Sequence, residues 1–325
     1  MATVTTNNQY YTDIANAIRG KNGTEIQYKP SEMAAAIQAI SGGGEPEPPD
    51  DGKTRLYITV PANAMEGLPP PRNQVPLYIQ QTVANGVTID WGDGTPTETL
   101  PGVKTVNTTH TYEQAGDYII SLDPAEGCVL GLGVGGSSSC VMGSTDDNNS
   151  VYRNMLQKVI INNASIEGSA FYSCYSLASV VIPNEATSIG DNAFRECYSL
   201  ASVVIPDGVT SIEASVFFSC YSLASITIPD GVTSIGNYAF RECYSLASVV
   251  IPDGVTSIGS YAFYNCKSVK EYHFFPATPP TLANTNAFSG IPSDCIIYVP
   301  VGSLQAYQTA TNWATYADQM QEEPA

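Results

Sequence analysis

IGDNAFRECYSLASVVIPDGVTS, residues 189–211, is followed by IEASVFFSCYSLASITIPDGVTS (212–234), IGNYAFRECYSLASVVIPDGVTS (235–257) and IGSYAFYNCKSVKEYHFFPATPP (258–280), with a partial copy ahead of the first. Self-similarity at a fixed period of 23 residues specifies a stacked solenoid, because one copy cannot bury its inward face without the next. The L-x-x-V-x-I-P segment reads as a strand with Leu200, Val203 and Ile205 inward, and each copy adds one strand to a parallel sheet at ~4.8 Å spacing. The A-F-x-x-C segment reads as the opposite wall, with Phe171, Phe194, Phe217, Phe240 and Phe263 as an internal aromatic ladder. Pro-Asp-Gly after each strand predicts a turn in which Gly208, Gly231 and Gly254 supply permissive backbone.

Rows of equivalent outward positions are the natural recognition surface of such a stack. One row is Tyr175, Tyr198, Tyr221 and Tyr244, combining apolar rings with polar tips; the alternative is that these rings stack on one another and shield the edge of the core. Ser179, Ser202, Ser225 and Ser248, with Val181, Val204, Thr227 and Val250, form a small, flat second row on the sheet. Positions that differ between copies, such as Arg195, Glu196, Phe218, Ser219, Arg241, Glu242, Tyr264 and Asn265, are the candidate specificity determinants, because the core does not fix them.

Of the eight cysteines, Cys174, Cys197, Cys220, Cys243 and Cys266 recur with the repeat, a packing signature in which a reduced thiol acts as a small hydrophobe. Cys128 and Cys140 flank VLGLGVGGSSS and are placed either to close a loop or to remain free. No CxxC pair or neighbouring histidine suggests zinc.

Residues 156–299 therefore form the solenoid, and the chain around it is modular. Residues 1–41 read as two short helices that bring Ile14 and Ile18, then Met33, Ile37 and Ile40, to one side. So small a hairpin buries too little apolar surface to stand alone, which makes it a candidate docking segment. Residues 42–53 are a Gly/Pro/acidic linker. Residues 54–123 alternate apolar and polar side chains through LYITV, PLYIQ, GVTID and DYIISL, the pattern of a small β-sandwich. Residues 124–155 are a Gly/Ser-rich connection and solenoid entry, and 300–325 a C-terminal helical cap. The fold class is mainly β: a 23-residue-repeat solenoid preceded by a small sandwich and a helical hairpin.

Three resemblances attach to these residues. From Leu156 onward the repeats resemble the BspA-like leucine-rich-repeat family, with CIIYVPVGSLQAYQTATNWATYADQM as the family's terminal strand and helix, covering the last coil with Leu304, Tyr307, Trp313 and Tyr316. That resemblance implies a surface-exposed adhesion module. Trp91-Gly92-Asp93-Gly94 with His110, Tyr112, Gly116 and Tyr118 resembles a polycystic-kidney-disease (PKD) type sandwich, which implies a fold but little about function. YYTDIANAIRGKNGTEIQYKPSEMAAAIQAI, residues 10–40, resembles an N-terminal element of phage and prophage structural proteins.

Charge and motif content narrow the function. A formal charge of -18, from 13 basic and 31 acidic side chains, opposes binding to nucleic acid or anionic lipid. The sequence MATVTTNNQYYTDIANAIRG lacks the charge and apolar pattern of a signal peptide, and no window reads as a membrane span. His110 and His273 fall in different modules and read as structural, and Asp90 and Asp93 read as turn residues rather than calcium ligands. GLGVGG at 131–136 lacks the strand-loop-helix setting of a phosphate loop, and no HExxH, GxSxG or carboxylate pair is found. The expectation is a cofactor-free, non-enzymatic display protein of a phage or prophage virion, assembled in the bacterial cytoplasm. Residues 1–41 would contact other virion or assembly proteins, and the solenoid a cell-surface protein or glycan. The chain is open to homo-oligomer formation, without nucleic acid or membrane insertion. The alternative is a bacterial BspA-like surface adhesin for host glycoprotein or matrix.

Overall fold

A computed structural model describes residues 51–61, 73–133, 139–144, 150–162 and 164–324. The helices expected within residues 1–41 and most of the linker lie outside the described residues. Asp50–Ala325 is one compact unit.

Seven strands make up the first part: β1 (Thr54–Val60), β2 (Gln74–Gln81), β3 (Val87–Asp90), β4 (Glu98–Thr99), β5 (Lys104–Thr111), β6 (Gly116–Pro124) and β7 (Leu130–Leu132). They form two sheets, with β1, β6, β3 and β4 in one and β7, β2 and β5 in the other. Alternation along the strands sends Leu56, Ile58, Val60, Leu77, Ile79, Ile120 and Leu122 to the interior, all 0–1% exposed. The WGDG turn is held locally. Asp90 accepts from the Gly92 amide at 2.9 Å, and Asp93 accepts from the Thr95 amide at 3.1 Å, the Asx geometry that favours Asp in turns. Trp91 stacks on His110 at 4.7 Å, His110 Nε2 lies 2.7 Å from Asp93 Oδ2, and the Tyr112 hydroxyl donates to the Trp91 carbonyl at 2.8 Å. Trp91 and Asp93 thereby fasten the turn to His110 on strand β5 and to Tyr112 just after it.

Most coils of the second part contribute two short strands joined by turns, and the coil of Ser179–Val181 has a single bridge, Ile166↔Ile189, in place of the second strand. The L-x-x-V-x-I segments pair in parallel, in register Ser179↔Ser202 and Ser202↔Ser225, and again from Ser248↔Glu271 to Glu271↔Ile296. A second parallel sheet, which the sequence reading did not assign, comes from the T-S-I segments, with Ile212↔Ile235, Ile235↔Ile258 and Ile258↔Leu282. Leu200, Val203 and Ile205 are buried, as expected.

The phenylalanine ladder is present and one rung longer than the sequence suggests. Phe171, Phe194, Phe217, Phe240, Phe263 and Phe288 are each 0% exposed, with successive ring centroids 5.1–5.7 Å apart. Beside it runs a thiol column: Cys197, Cys220, Cys243 and Cys266 each donate to the carbonyl of Phe171, Phe194, Phe217 and Phe240 respectively, at 3.1–3.3 Å. A thiol is small enough to lie against the rings and still reach the preceding coil. All eight cysteines are free, Cys128 and Cys140 included.

The role expected of the Pro-Asp-Gly glycines is corrected. None of Gly208, Gly231 and Gly254 has a left-handed backbone. Their turns close by Val209, Val232 and Val255 amides donating to Pro206, Pro229 and Pro252 carbonyls, and the equivalent turn at Pro183 has Glu185 in the glycine's place. Glycine relieves crowding there. A Cβ would lie 3.0–3.3 Å from Ala186, Asp207 and Asp230 carbonyl oxygens of the preceding coils.

The two parts share their sheets. Leu156–Ile160 pairs antiparallel with β1 on one side and parallel with Ser179–Val181 on the other. On the opposite face, Ala164–Ile166 pairs in parallel with β7. Both sandwich sheets therefore run on into the solenoid, and the sandwich closes its first coil. The far end is closed by Leu304–Thr309, Trp313–Gln319 and a final strand, Met320–Glu322, parallel to Ile296–Val299. Trp313 lies 5.6 Å from Phe288 at the end of the ladder and donates to the Pro280 carbonyl at 2.7 Å. Tyr307 and Tyr316 are buried with it, while Leu304 is half-buried.

Truncating an interior ring leaves a void between two neighbouring rings. Phe217→Ala or Phe240→Ala is expected to cost about 3–5 kcal/mol, read by denaturant unfolding of the full chain; a loss below about 1 kcal/mol would contradict an inward ladder.

Candidate functional site

The wall that carries the candidate recognition residues is built from backbone that few sequences adopt. Each coil places two non-glycine residues at positive φ, four apart: Ser169 and Ser173, Asn192 and Glu196, Ser215 and Ser219, Tyr238 and Glu242, Tyr261 and Asn265, with φ between 56 and 63°. Such residues cost of order 1 kcal/mol each. The cost is offset by hydrogen bonds to the next coil, such as Phe194 to Val216 at 3.0 Å and Glu196 to Phe218 at 2.7 Å. This zigzag turns Phe and Cys inward and leaves the residue after each Phe, and the Tyr after each Cys, half-buried at the surface.

Tyr175, Tyr198, Tyr221 and Tyr244 stack in one column, with centroids 4.6–4.9 Å apart. Lys267 takes the fifth place, its ammonium 4.6 Å from the Tyr244 ring centre. The rings cover one another's faces and shield the core edge, so they present hydroxyl-bearing edges rather than open faces. Burial, then the charge of Glu196, pushes the Tyr198 hydroxyl up to about 12, so that tip is a neutral donor and acceptor at physiological pH.

Arg195, Glu196, Phe218, Arg241, Glu242 and Tyr264 are brought together beside that column. Arg195 pairs with Glu196 at 3.4 Å and Arg241 with Glu242 at 3.2 Å, and both guanidiniums lie against the Phe218 ring, at 4.3 and 5.1 Å. Tyr238 and Tyr261, which the sequence reading passed over, stack at 5.4 Å and flank Arg241. Their only sequence signal is an aromatic residue two positions before the core Phe. The docking candidates Ile14, Ile18, Met33, Ile37 and Ile40 lie outside the described residues.

Groups with chemical potential are engaged elsewhere. Burial pushes the repeat thiols up, Cys266 to about 12, which suppresses the thiolate. Burial opposes the charge of Asp93, but hydrogen bonds from Thr95 and His110 outweigh it and hold the carboxyl at about 2. His273 is clamped by Glu323 at 2.8 Å and Glu271 at 3.3 Å and stacks on Tyr298. Burial disfavours its charged form, yet the two carboxylates prevail and raise its pKa. Among the described residues, no group of His, Cys, Asp and Glu is arranged to hold a metal ion, and no helix is long and apolar enough to cross a membrane.

Residues 164–293 match the BspA type leucine rich repeat region in 6 copies. A leucine-rich repeat protein of T. pallidum is 32% identical over 45% of this chain and 63% of its own, with a TM-score of 0.36. One from Bacteroides ovatus is 30% identical over 50% of this chain and 45% of its own, at 0.38. A leucine rich cell surface protein of Faecalibacterium prausnitzii is 22% identical over 50% of this chain and 64% of its own, at 0.30. The chain thus spans less than two thirds of the length of each of these structures. No curated protein matches it. The matched repeat family and the T. pallidum and Bacteroides ovatus structures are all of leucine-rich repeat proteins.

Two measurements check this site. Thiol-reactive reagents should label Cys174, Cys197, Cys220, Cys243 and Cys266 slowly in the folded chain and rapidly in denaturant; disulfides among them in freshly purified protein would refute the thiol column. The His273 clamp stabilises the fold fully below the unfolded histidine pKa of about 6.5, and that contribution is lost as pH rises through the higher folded value. Unfolding midpoints should therefore fall from pH 6 to 8 more steeply in the wild type than in His273→Gln; equal slopes would rule the clamp out.

Proposed function

We propose that this chain is a non-enzymatic adhesion or recognition protein of a bacterial surface, whose solenoid binds a host glycoprotein or matrix component. The observation that carries the reading is the six-copy match of residues 164–293 to BspA type repeats, laid out as a wall whose tyrosine column repeats coil by coil and whose arginines recur at every second coil. The Tyr175, Tyr198, Tyr221 and Tyr244 edges form the contact row. Phe218, Tyr264 and the Arg195–Glu196 and Arg241–Glu242 pairs flank it. Tyrosine suits such a surface because it contributes large, stiff contact area with a hydrogen-bonding tip.

The sandwich, read as PKD-like from Trp91 to Tyr118, serves as the base on which the solenoid is mounted. The shared sheets support a stiff mount rather than a flexible spacer. The virion reading rests on residues 1–41, which lie outside the described residues, and no observation favours it over the bacterial surface.

The test uses the full chain on immobilised host glycoproteins and matrix proteins, with antibody labelling of intact producing cells. Saturable binding, weakened at least several-fold by Tyr198→Ala with Tyr221→Ala in a variant that keeps its β-sheet circular dichroism, is the expected result. Absence of surface label together with recovery of the protein in purified phage particles would overturn the reading in favour of the virion.

A further inference from the structure

The residue after each of the first five ladder phenylalanines runs along the wall as Tyr172, Arg195, Phe218, Arg241 and Tyr264, and Ser289 follows Phe288 in the capped last coil. The first five alternate ring, cation, ring, cation, ring. The Arg195 guanidinium carbon lies 5.6 Å from the Tyr172 ring centre and 4.3 Å from that of Phe218. Arg241 lies 5.1 Å from Phe218 and 5.1 Å from Tyr264. Each cation is thus held between aromatic side chains of the coils before and after it.

The next position alternates in step, as Ser173, Glu196, Ser219, Glu242 and Asn265. Ser173 donates to Glu196 at 2.9 Å and Ser219 to Glu242 at 3.2 Å. Each glutamate therefore takes a hydroxyl from the preceding coil and an arginine from its own. We infer that the working unit of this solenoid is a pair of coils, and that Arg195, Glu196, Arg241 and Glu242 are positioning residues whose charges are used within the wall, so that the stack gains and loses coils only in pairs.

The physical reason is the spacing. Neutral groups such as Phe and Tyr stack on copies of themselves in every coil, but arginines or glutamates in adjacent coils would face one another at ~5 Å, where like charges repel. Placing rings and hydroxyls in every other coil turns that repulsion into cation–π contacts and charge-assisted hydrogen bonds. A partner lying along this wall meets a guanidinium only at every second coil, ~10 Å apart. The inference is independent of what the solenoid binds.

Deleting residues 213–235 joins Ile212 to Gly236 and sets the Arg195 coil directly against the Arg241 coil. Arg241→Phe with Glu242→Ser puts a ring and a hydroxyl back beside Arg195 and Glu196 in that deletion, but in the full-length chain it removes a cation and a carboxylate from between their neutral neighbours. The paired substitution should therefore raise the melting midpoint of the deletion variant by several degrees and lower that of the full-length protein, and the penalty of the deletion alone should shrink at high salt. A change of the same sign in both backgrounds overturns the inference. If the single-coil deletion does not fold, folding of the chain with residues 213–258 deleted supports the inference; failure of both deletions to fold, with and without the pair, overturns it.

Discussion

The structure depends on hydrogen bonds that leave each coil for the next. In the turn wall, amides of Asn192, Phe194 and Glu196 donate to Ala214, Val216 and Phe218 of the following coil, and the pattern repeats from Ser215 to Arg241. A coil that gives its hydrogen bonds away cannot satisfy itself, and its phenylalanine is half of a stack. Both terminal coils must consequently be closed by something other than a repeat.

The two closures differ in kind. At the first coil, the sandwich lends whole strands: β1 and β7 pair with Leu156–Ile160 and Ala164–Ile166, so polar edge and apolar interior are covered together. At the last, a buried cluster of Tyr307, Trp313 and Tyr316 covers the final ring, and Met320–Glu322 covers the strand edge. Hydrogen bonds from Tyr307 and Trp313 to the Pro276 and Pro280 carbonyls tie that cluster to the last coil. The His273 clamp then ties that last strand back across Tyr298.

Repetition also sorts side chains by what they can stack on. Phe, Tyr and Cys recur in successive coils because each gains from a copy of itself or from the carbonyl before it. The half-buried arginines and glutamates of the turn wall alternate instead, whereas the exposed Asp207, Asp230 and Asp253 recur in successive coils, where water screens them. The positions that vary most between repeats are thus set largely by their neighbours in the stack, which explains why variation alone is an uncertain guide to a binding surface.

The 23-residue period by itself determined the solenoid, the inward Leu, Val and Ile, the phenylalanine ladder and the reduced cysteines, because identical copies at fixed spacing leave one way to bury an apolar stripe. The turn role of Asp90 and Asp93 was legible for a similar reason, since an Asx turn is made by residues two apart. The T-S-I strands were not, being two residues long, with hydrogen bonds made only to other coils. Nor was the function of Gly208, Gly231 and Gly254: a glycine in Pro-Asp-Gly reads as a turn residue, and only the neighbouring coil's carbonyl shows that it is there for space. The tertiary structure alone decided that sandwich and solenoid share their sheets, that Phe288 and Trp313 finish the ladder, and that Arg195 and Arg241 lie between rings. These are contacts between residues far apart in the chain or one coil apart in the stack, and a one-dimensional pattern records which residues recur without recording what stands beside them.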